Sequence, residues 1–243
     1  MIARRFLPGS QSSWGVPLRF LCAVLLAWLA AFAANAQVAP SAAERAGYQG
    51  LFAAAFAGDA AGIRAQAAAG ATVDARDGRG RTPFHVAAFA RRHAAMRALV
   101  AAGADPNALE SDRYDAVTIA AVADDVETLE VALALGNRAT NVTSRYDGTA
   151  LIAAAHLGHA EVVRVLIRAG APLDHVNNLG WTALFESVVL GDGGPRHVAT
   201  LKALVDAGAD VNLADRDGTT PATLAFTRGF REMVAILKAA GAR

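Results

Sequence analysis

A ruler of Gly-Ala pairs constrains this chain more than any other feature. Gly70-Ala71, Gly103-Ala104, Gly170-Ala171, Gly208-Ala209 and Gly241-Ala242 recur, with Gly136-Asn137 as a near-pair among them. Successive glycines lie 33, 33, 34, 38 and 33 residues apart. A fixed period of this size means one supersecondary unit, repeated and stacked, because such a unit cannot bury its apolar face alone. A stack of this kind makes an extended surface that holds a partner more readily than a pocket for chemistry.

The segment before the ruler reads differently. Arg4 and Arg5 are followed by the apolar run Phe20–Ala33, and Ala34-Asn35-Ala36 supplies small residues around a cleavage point. These are the three parts of a secretory signal peptide, with Gln37 as the new N-terminus. The expectation is a cleaved signal over 1–36, a linker over 37–43 and a repeat domain over 44–243, in a periplasmic or secreted protein. An uncleaved anchor is the alternative, although the run is short for a span of about 20 residues. Cleavage removes three arginines and no acids, leaving 20 basic against 22 acidic residues. So balanced a charge argues against a general nucleic-acid binder. It also removes Cys22, the one cysteine, and with it any disulfide, thiol nucleophile or thiolate metal site.

Registered on the ruler, one phrase recurs twelve or thirteen residues after the glycine. It reads Thr82-Pro83-Phe84-His85-Val86-Ala87-Ala88, Thr149-Ala150-Leu151-Ile152-Ala153-Ala154-Ala155, Thr182-Ala183-Leu184-Phe185 and Thr220-Pro221-Ala222-Thr223-Leu224-Ala225. Threonine is an N-cap, and proline is tolerated in the first helical turn. Gly158 suits a left-handed helix end. Val162, Val163, Leu166 and Ile167 then repeat at helical spacing, as the buried stripe of a second helix. Gly80, Gly180 and Gly218 mark a tight turn ahead of the cap.

These residues resemble the ankyrin repeat, with its Thr-Pro-Leu-His phrase, alanine pair, Gly-His step and Gly-Ala-Asp ending. The resemblance runs from about Glu44 to Arg243. It implies an all-α solenoid of about six helix-turn-helix units with hairpin-like connections, over 44–76, 77–110, 111–144, 145–178, 179–215 and 216–243. The first unit lacks the Thr-Pro phrase, as a terminal cap does. The third has decayed: Arg113 replaces the turn glycine, Asp115 the threonine and Thr118 the histidine, with Asp115 still able to cap. The fifth is enlarged by Gly191–His197, which reads as a flexible loop between its two helices rather than a phosphate cradle.

No nucleophile elbow or phosphate loop is present. His85 fits the family's inter-repeat hydrogen-bonding position, and His159 reads as structural too. A metal site at His156 and His159 is disfavoured, because Gly158 separates them and no cysteine joins them. Asn141-Val142-Thr143 is a glycosylation sequon, of consequence only in a eukaryotic secretory pathway. The resemblance therefore implies no catalysis, no cofactor and no metal. It implies a monomer that binds a protein partner, with no nucleic acid and no membrane anchor after cleavage.

The family's partner-contacting columns carry over by counting from each glycine. They select Arg76, Arg79 and Arg81; Leu109, Asp112 and Tyr114; Tyr146; Leu179 and Trp181 on the hairpins. Phe89, His156, Leu157 and Leu190 follow at the ends of first helices. Tyr114, Tyr146, Leu179 and Trp181 form an expected exposed cluster rimmed by the three arginines, the composition of a binding hot spot. Trp181 admits a second reading, as packing within its own repeat. Resemblance to exported bacterial ankyrin proteins implies an envelope or stress-defence partner. The alternatives are an inhibitor or immunity-type protein that blocks a co-exported enzyme, and a secreted effector acting in a host.

Overall fold

Five of the six repeats begin their inner helix with the same local solution, a polar side chain closing the start of a short helix. The computed structural model describes residues 37–243, so the expected signal segment lies outside the described residues. Thirteen helices occur among them. They are α1 (Ala42–Gly47), α2 (Gly50–Ala57), α3 (Ala60–Ala68), α4 (Pro83–Phe89), α5 (His93–Ala101), α6 (Ala116–Val122), α7 (Val126–Ala134), α8 (Ala150–Leu157), α9 (Ala160–Arg168), α10 (Ala183–Val189), α11 (Pro195–Asp206), α12 (Pro221–Thr227) and α13 (Arg231–Ala239).

Thr82, Asp115, Thr149, Thr182 and Thr220 each accept from the backbone N–H three residues on, at the start of α4, α6, α8, α10 and α12. The cap satisfies one of the donors that a helix start leaves unpaired. Gly158 ends α8 at φ 70°, in the left-handed region. Arg91 and Asp124 reach φ 55° and 54° at the equivalent step without a glycine's freedom.

The even-numbered helices α2 to α12 pack side by side as an inner row, and the odd-numbered α3 to α13 form an outer row behind them. The core runs unbroken between the rows. Val117, Leu151 and Leu184 fill it from the inner helices; Ile63, Met96, Leu99, Leu129, Leu166, Leu201 and Leu237 fill it from the outer ones. The alanine pairs Ala87-Ala88, Ala120-Ala121 and Ala154-Ala155 are buried where neighbouring inner helices meet. Their small volume is what lets those helices approach closely.

Three details depart from the sequence reading. The 37–43 segment is not all linker: Ser41 caps α1 in a reciprocal box with Glu44. The Gly191–His197 insertion is shorter and firmer than a flexible loop. Helix α11 already begins at Pro195, Asp192 Oδ1 accepts from Gly194 N–H and from His197 Nδ1 at 2.8 and 2.9 Å, and Phe230 lies against Gly193. A β-carbon at Gly193 would stand 2.4 Å from that ring. Between the third and fourth repeats, Val142–Thr143 (β1) pairs antiparallel with Gly148–Thr149 (β2).

Candidate protein-binding surface

The hairpins that precede the inner helices share one internal device. A polar side chain at the hairpin's first corner accepts the N–H groups two and four residues ahead. Asp77 holds Arg79 and Arg81; Glu110 holds Asp112 and Tyr114. Ser144 holds Tyr146 and Gly148, Asn177 holds Leu179 and Trp181, and Asp215 holds Asp217 and Thr219. The tips are then laced to one another. Ser111 N–H donates to Arg79 O at 3.0 Å, Ser144 N–H to Arg113 O at 3.1 Å, and Asn178 N–H to Tyr146 O at 2.9 Å. Ion pairs reinforce the lacing, Asp112 with Arg145 at 2.6 Å and Arg113 with Asp147 at 2.8 Å. The hairpins therefore present one pre-organised edge rather than separate fingers.

The inner-helix ends are fixed from the next repeat. Arg92 Nε donates to Phe56 O, Arg228 Nη1 to Val188 O, and the imidazoles of His159 and His197 meet Ala121 O and His156 O. A cation or a ring N–H suits the electronegative end of a helix. Burial pushes the Arg228 guanidinium down from its ordinary value, against the pull of Asp192.

Against this frame the candidate residues separate. Arg79 and Leu157 are exposed. Arg76 is exposed as well, but its Nη1 donates to Gly80 O and Leu109 O, tying the second hairpin to the third. Asp112 spends its carboxylate on Arg145. Phe89, Leu109, Tyr114, Tyr146, His156, Leu179 and Leu190 are half-buried. The expected open aromatic cluster is thus partly closed. Burial pushes the Tyr114 phenol up, and its backbone oxygen accepts from His85 Nε2.

Two expectations are corrected. Arg81 is no rim residue: it is 1% exposed, because its Nε meets Asp77 at 2.7 Å and its Nη2 meets Glu44 from α1. Trp181 is not an open anchor either, since it stacks on the buried Phe185 with ring centroids 6.0 Å apart. The residue as a whole stays half-buried.

The histidines sort as their environments dictate. His85 is fully buried, and burial holds its imidazole below the ordinary value, so it is neutral. Nδ1 accepts from Thr82 N–H, which leaves Nε2 to donate to Tyr114 O. His156 and His159 face different partners. His156 Nδ1 lies 3.3 Å from Glu186, while His159 Nδ1 meets Ala121 O at 2.8 Å. The sequon asparagine is occupied: Asn141 Nδ2 donates to Asn107 and Asp115, both at 2.9 Å.

Glu186 escaped the sequence reading. It is a buried carboxylate on α10, held by Asn177 Nδ2 at 2.9 Å and flanked by His156. Counted from the caps, its column holds Val86, Ile119, Ala153 and Leu224 in other repeats. One acid in an apolar column was the available signal, because a buried carboxylate demands partners.

Known proteins match the same stretch. Profiles for ankyrin repeats match residues 79–111 as a single repeat, 117–215 as three copies and 195–237 as many copies. The ankyrin repeat protein YahD of Escherichia coli is 36% identical over 125 residues, which is 51% of this chain and 62% of that protein. The ankyrin repeat and KH domain-containing protein mask-1 of Caenorhabditis elegans is 34% identical over 131 residues, 52% of this chain and 5% of that protein. Among solved structures, an ankyrin repeat domain from Acinetobacter baumannii superposes with a TM-score of 0.74 at 42% identity, covering 79% of this chain and 98% of that one. The ankyrin repeat domain of Bcl-3 superposes with a TM-score of 0.72 at 27% identity, covering 81% and 88%. The period and the paired helix rows agree with these matches, and the chain belongs to the ankyrin-repeat family.

Proposed function

We propose that this chain is an exported scaffold that binds a partner protein along its hairpin tips and inner-helix ends, and that it acts by binding rather than by catalysis. Ankyrin repeats mediate protein–protein interaction, which supports the coarse assignment. The observation that carries the reading is the laced hairpin edge. Five hairpins are held by the same internal device, and Tyr114, Tyr146, Leu179 and Trp181 on them, with Leu157 and Leu190 at the inner-helix ends, keep part of their area uncovered. A rigid edge spends little ordering entropy on association, and half-buried aromatics are good anchors. The outer helices offer a contrast, with charged exposed residues such as Arg164, Glu161, Lys202 and Asp206 already paired among themselves.

Export rests on the residues of the 1–36 segment: two early arginines, an apolar run and Ala34-Asn35-Ala36. An envelope or stress-defence partner is the setting that such export favours. The test places a photo-crosslinking residue at Leu157, and separately at Arg164 on the outer row, in cells that express the chain. A discrete cross-linked protein from Leu157 and none from Arg164 supports the reading. Equal labelling from both faces overturns it. N-terminal sequencing of the protein recovered from the periplasm or medium tests export, with Gln37 as the expected first residue.

A further inference from the structure

The first repeat does not begin with a hairpin. Helix α1 stands there instead, next to the second repeat's hairpin. None of its residues is buried, while Pro40 before it is buried and Tyr48 after it is half-buried. The two flanks anchor the segment. Tyr48 stacks on Phe52 with centroids 5.4 Å apart, and its hydroxyl donates to Asp77. Between these anchors, α1 lays one carboxylate on the hairpin: Glu44 meets Arg81 Nη2 and lies 3.6 Å from Arg79 Nε.

Position makes this contact informative. Arg81 occupies the hairpin column that Tyr114 and Trp181 occupy in the third and fifth repeats, where the side chains keep part of their area uncovered. Arg81 alone of these three is closed off, and part of what closes it is an acidic side chain of the same chain. Guanidinium groups in a fixed fork recognise carboxylates well, so the contact reports what this end of the edge can bind. The helix that delivers the carboxylate has no fully buried residue, and besides Glu44 it touches its neighbours through the Arg45 guanidinium, 5.5 Å above the Phe56 ring, so little apolar burial holds it down.

We propose that α1 is a displaceable strap, in which Glu44 holds the place on Arg79 and Arg81 that a carboxylate side chain of an acidic partner segment takes. The inference rests on the hairpin edge being the binding surface, and it names the chemistry of one end of it. Displacement exchanges one carboxylate for another, so Arg81 is never left buried without a counter-charge. The Ser41–Glu44 box is internal to α1, so its two hydrogen bonds do not have to break for the segment to lift.

The experiment uses Glu44→Gln in the full chain. Glutamine preserves the capping box and removes the charge. Hydrogen exchange over residues 41–47 is expected to quicken, and octaglutamate, the probe, to bind about tenfold more tightly than to the unaltered chain. Adding Arg79→Gln to Glu44→Gln is expected to abolish that gain. If Glu44→Gln folds poorly, Arg79→Gln alone serves: its side chain is half exposed, and it should quicken exchange over 41–47 to a smaller extent. Equal octaglutamate affinity with and without Glu44, or unchanged exchange over 41–47 in both variants, overturns the strap. Failure of cross-linking at Leu157 while these results hold would remove the scaffold reading alone. Success at Leu157 without them would remove the strap alone.

Discussion

The second and third repeats solve one problem with different chemistry. Each must close the start of an inner helix and tie it to neighbouring turns. The second uses Thr82 and a neutral His85, whose ring accepts from its own cap and donates across to Tyr114 O in the third. The third uses Asp115, fully buried, whose Oδ1 accepts from the backbone and hydroxyl of Thr118. Asp115 Oδ2 accepts from Asn137 and Asn141, and Asn137 Oδ1 in turn accepts from Val117 N–H. Asn137 is the residue that breaks the Gly-Ala ruler. The irregular pair and the decayed motif are thus one substitution event in physical terms: a buried carboxylate needs an amide where alanine would have sufficed. A repeat can lose its motif and keep its fold when the replacement network is closed.

Removing Asp115 should break the comparison hardest. Asp115→Ala deletes a helix cap, typically ~1 kcal/mol, and strands the buried Asn137 amide at a further ~2 kcal/mol. A loss of about 3 kcal/mol in urea unfolding is expected. The triple change Asp115→Thr, Thr118→His and Asn137→Ala installs the second repeat's solution and should recover most of it. If Asp115→Ala costs under about 1 kcal/mol, the network is decoration rather than a substitute for the motif.

Arg81 tests the same idea at the hairpin below. Arg81→Met removes a buried guanidinium from Asp77, whose side chain is 11% exposed, and from Glu44. Asp77 keeps its hairpin donors and the Tyr48 hydroxyl, so the expected cost is about 2–3 kcal/mol, less than for a pair buried without other partners. Arg79→Met, with its half-exposed side chain 3.6 Å from the same glutamate, should cost well under 1 kcal/mol. Equal losses would mean that Arg81 does not hold the second hairpin to α1.

Much of this was legible beforehand, and what was not has a common cause. The period, the caps, the left-handed step at Gly158 and the substitution of Arg113 (φ 67°) for a turn glycine follow from local rules, and the structure shows each of them. Asp115 and Asn137 were each visible as oddities. Their partnership was not, because it joins residues 22 apart through the geometry of a turn. Arg81 was misjudged for the same reason: its burial depends on Glu44, 37 residues earlier, at the very start of the degenerate first repeat. The Ser41–Glu44 spacing was a readable capping box that composition had hidden. Glu186 needed only the repeats to be compared column by column.

The smallest effect, and the sharpest separation of the two solutions, is in pH. Burial holds His85 below its ordinary value, so the folded chain resists a proton that the unfolded chain accepts. Stability is then fully present above the unfolded imidazole's value of about 6.5 and declines as the pH falls below it, because the unfolded state binds more protons. His85→Gln should lower stability at neutral pH and flatten the decline between about pH 6.5 and 5. The triple variant of the third repeat acquires a second imidazole in the same kind of site and should steepen the decline relative to the unaltered chain. Urea midpoints at several pH values, with the m-value checked for constancy, read both slopes. If the triple variant folds with an unaltered slope, its new histidine is not buried as His85 is, and the two solutions are not interchangeable.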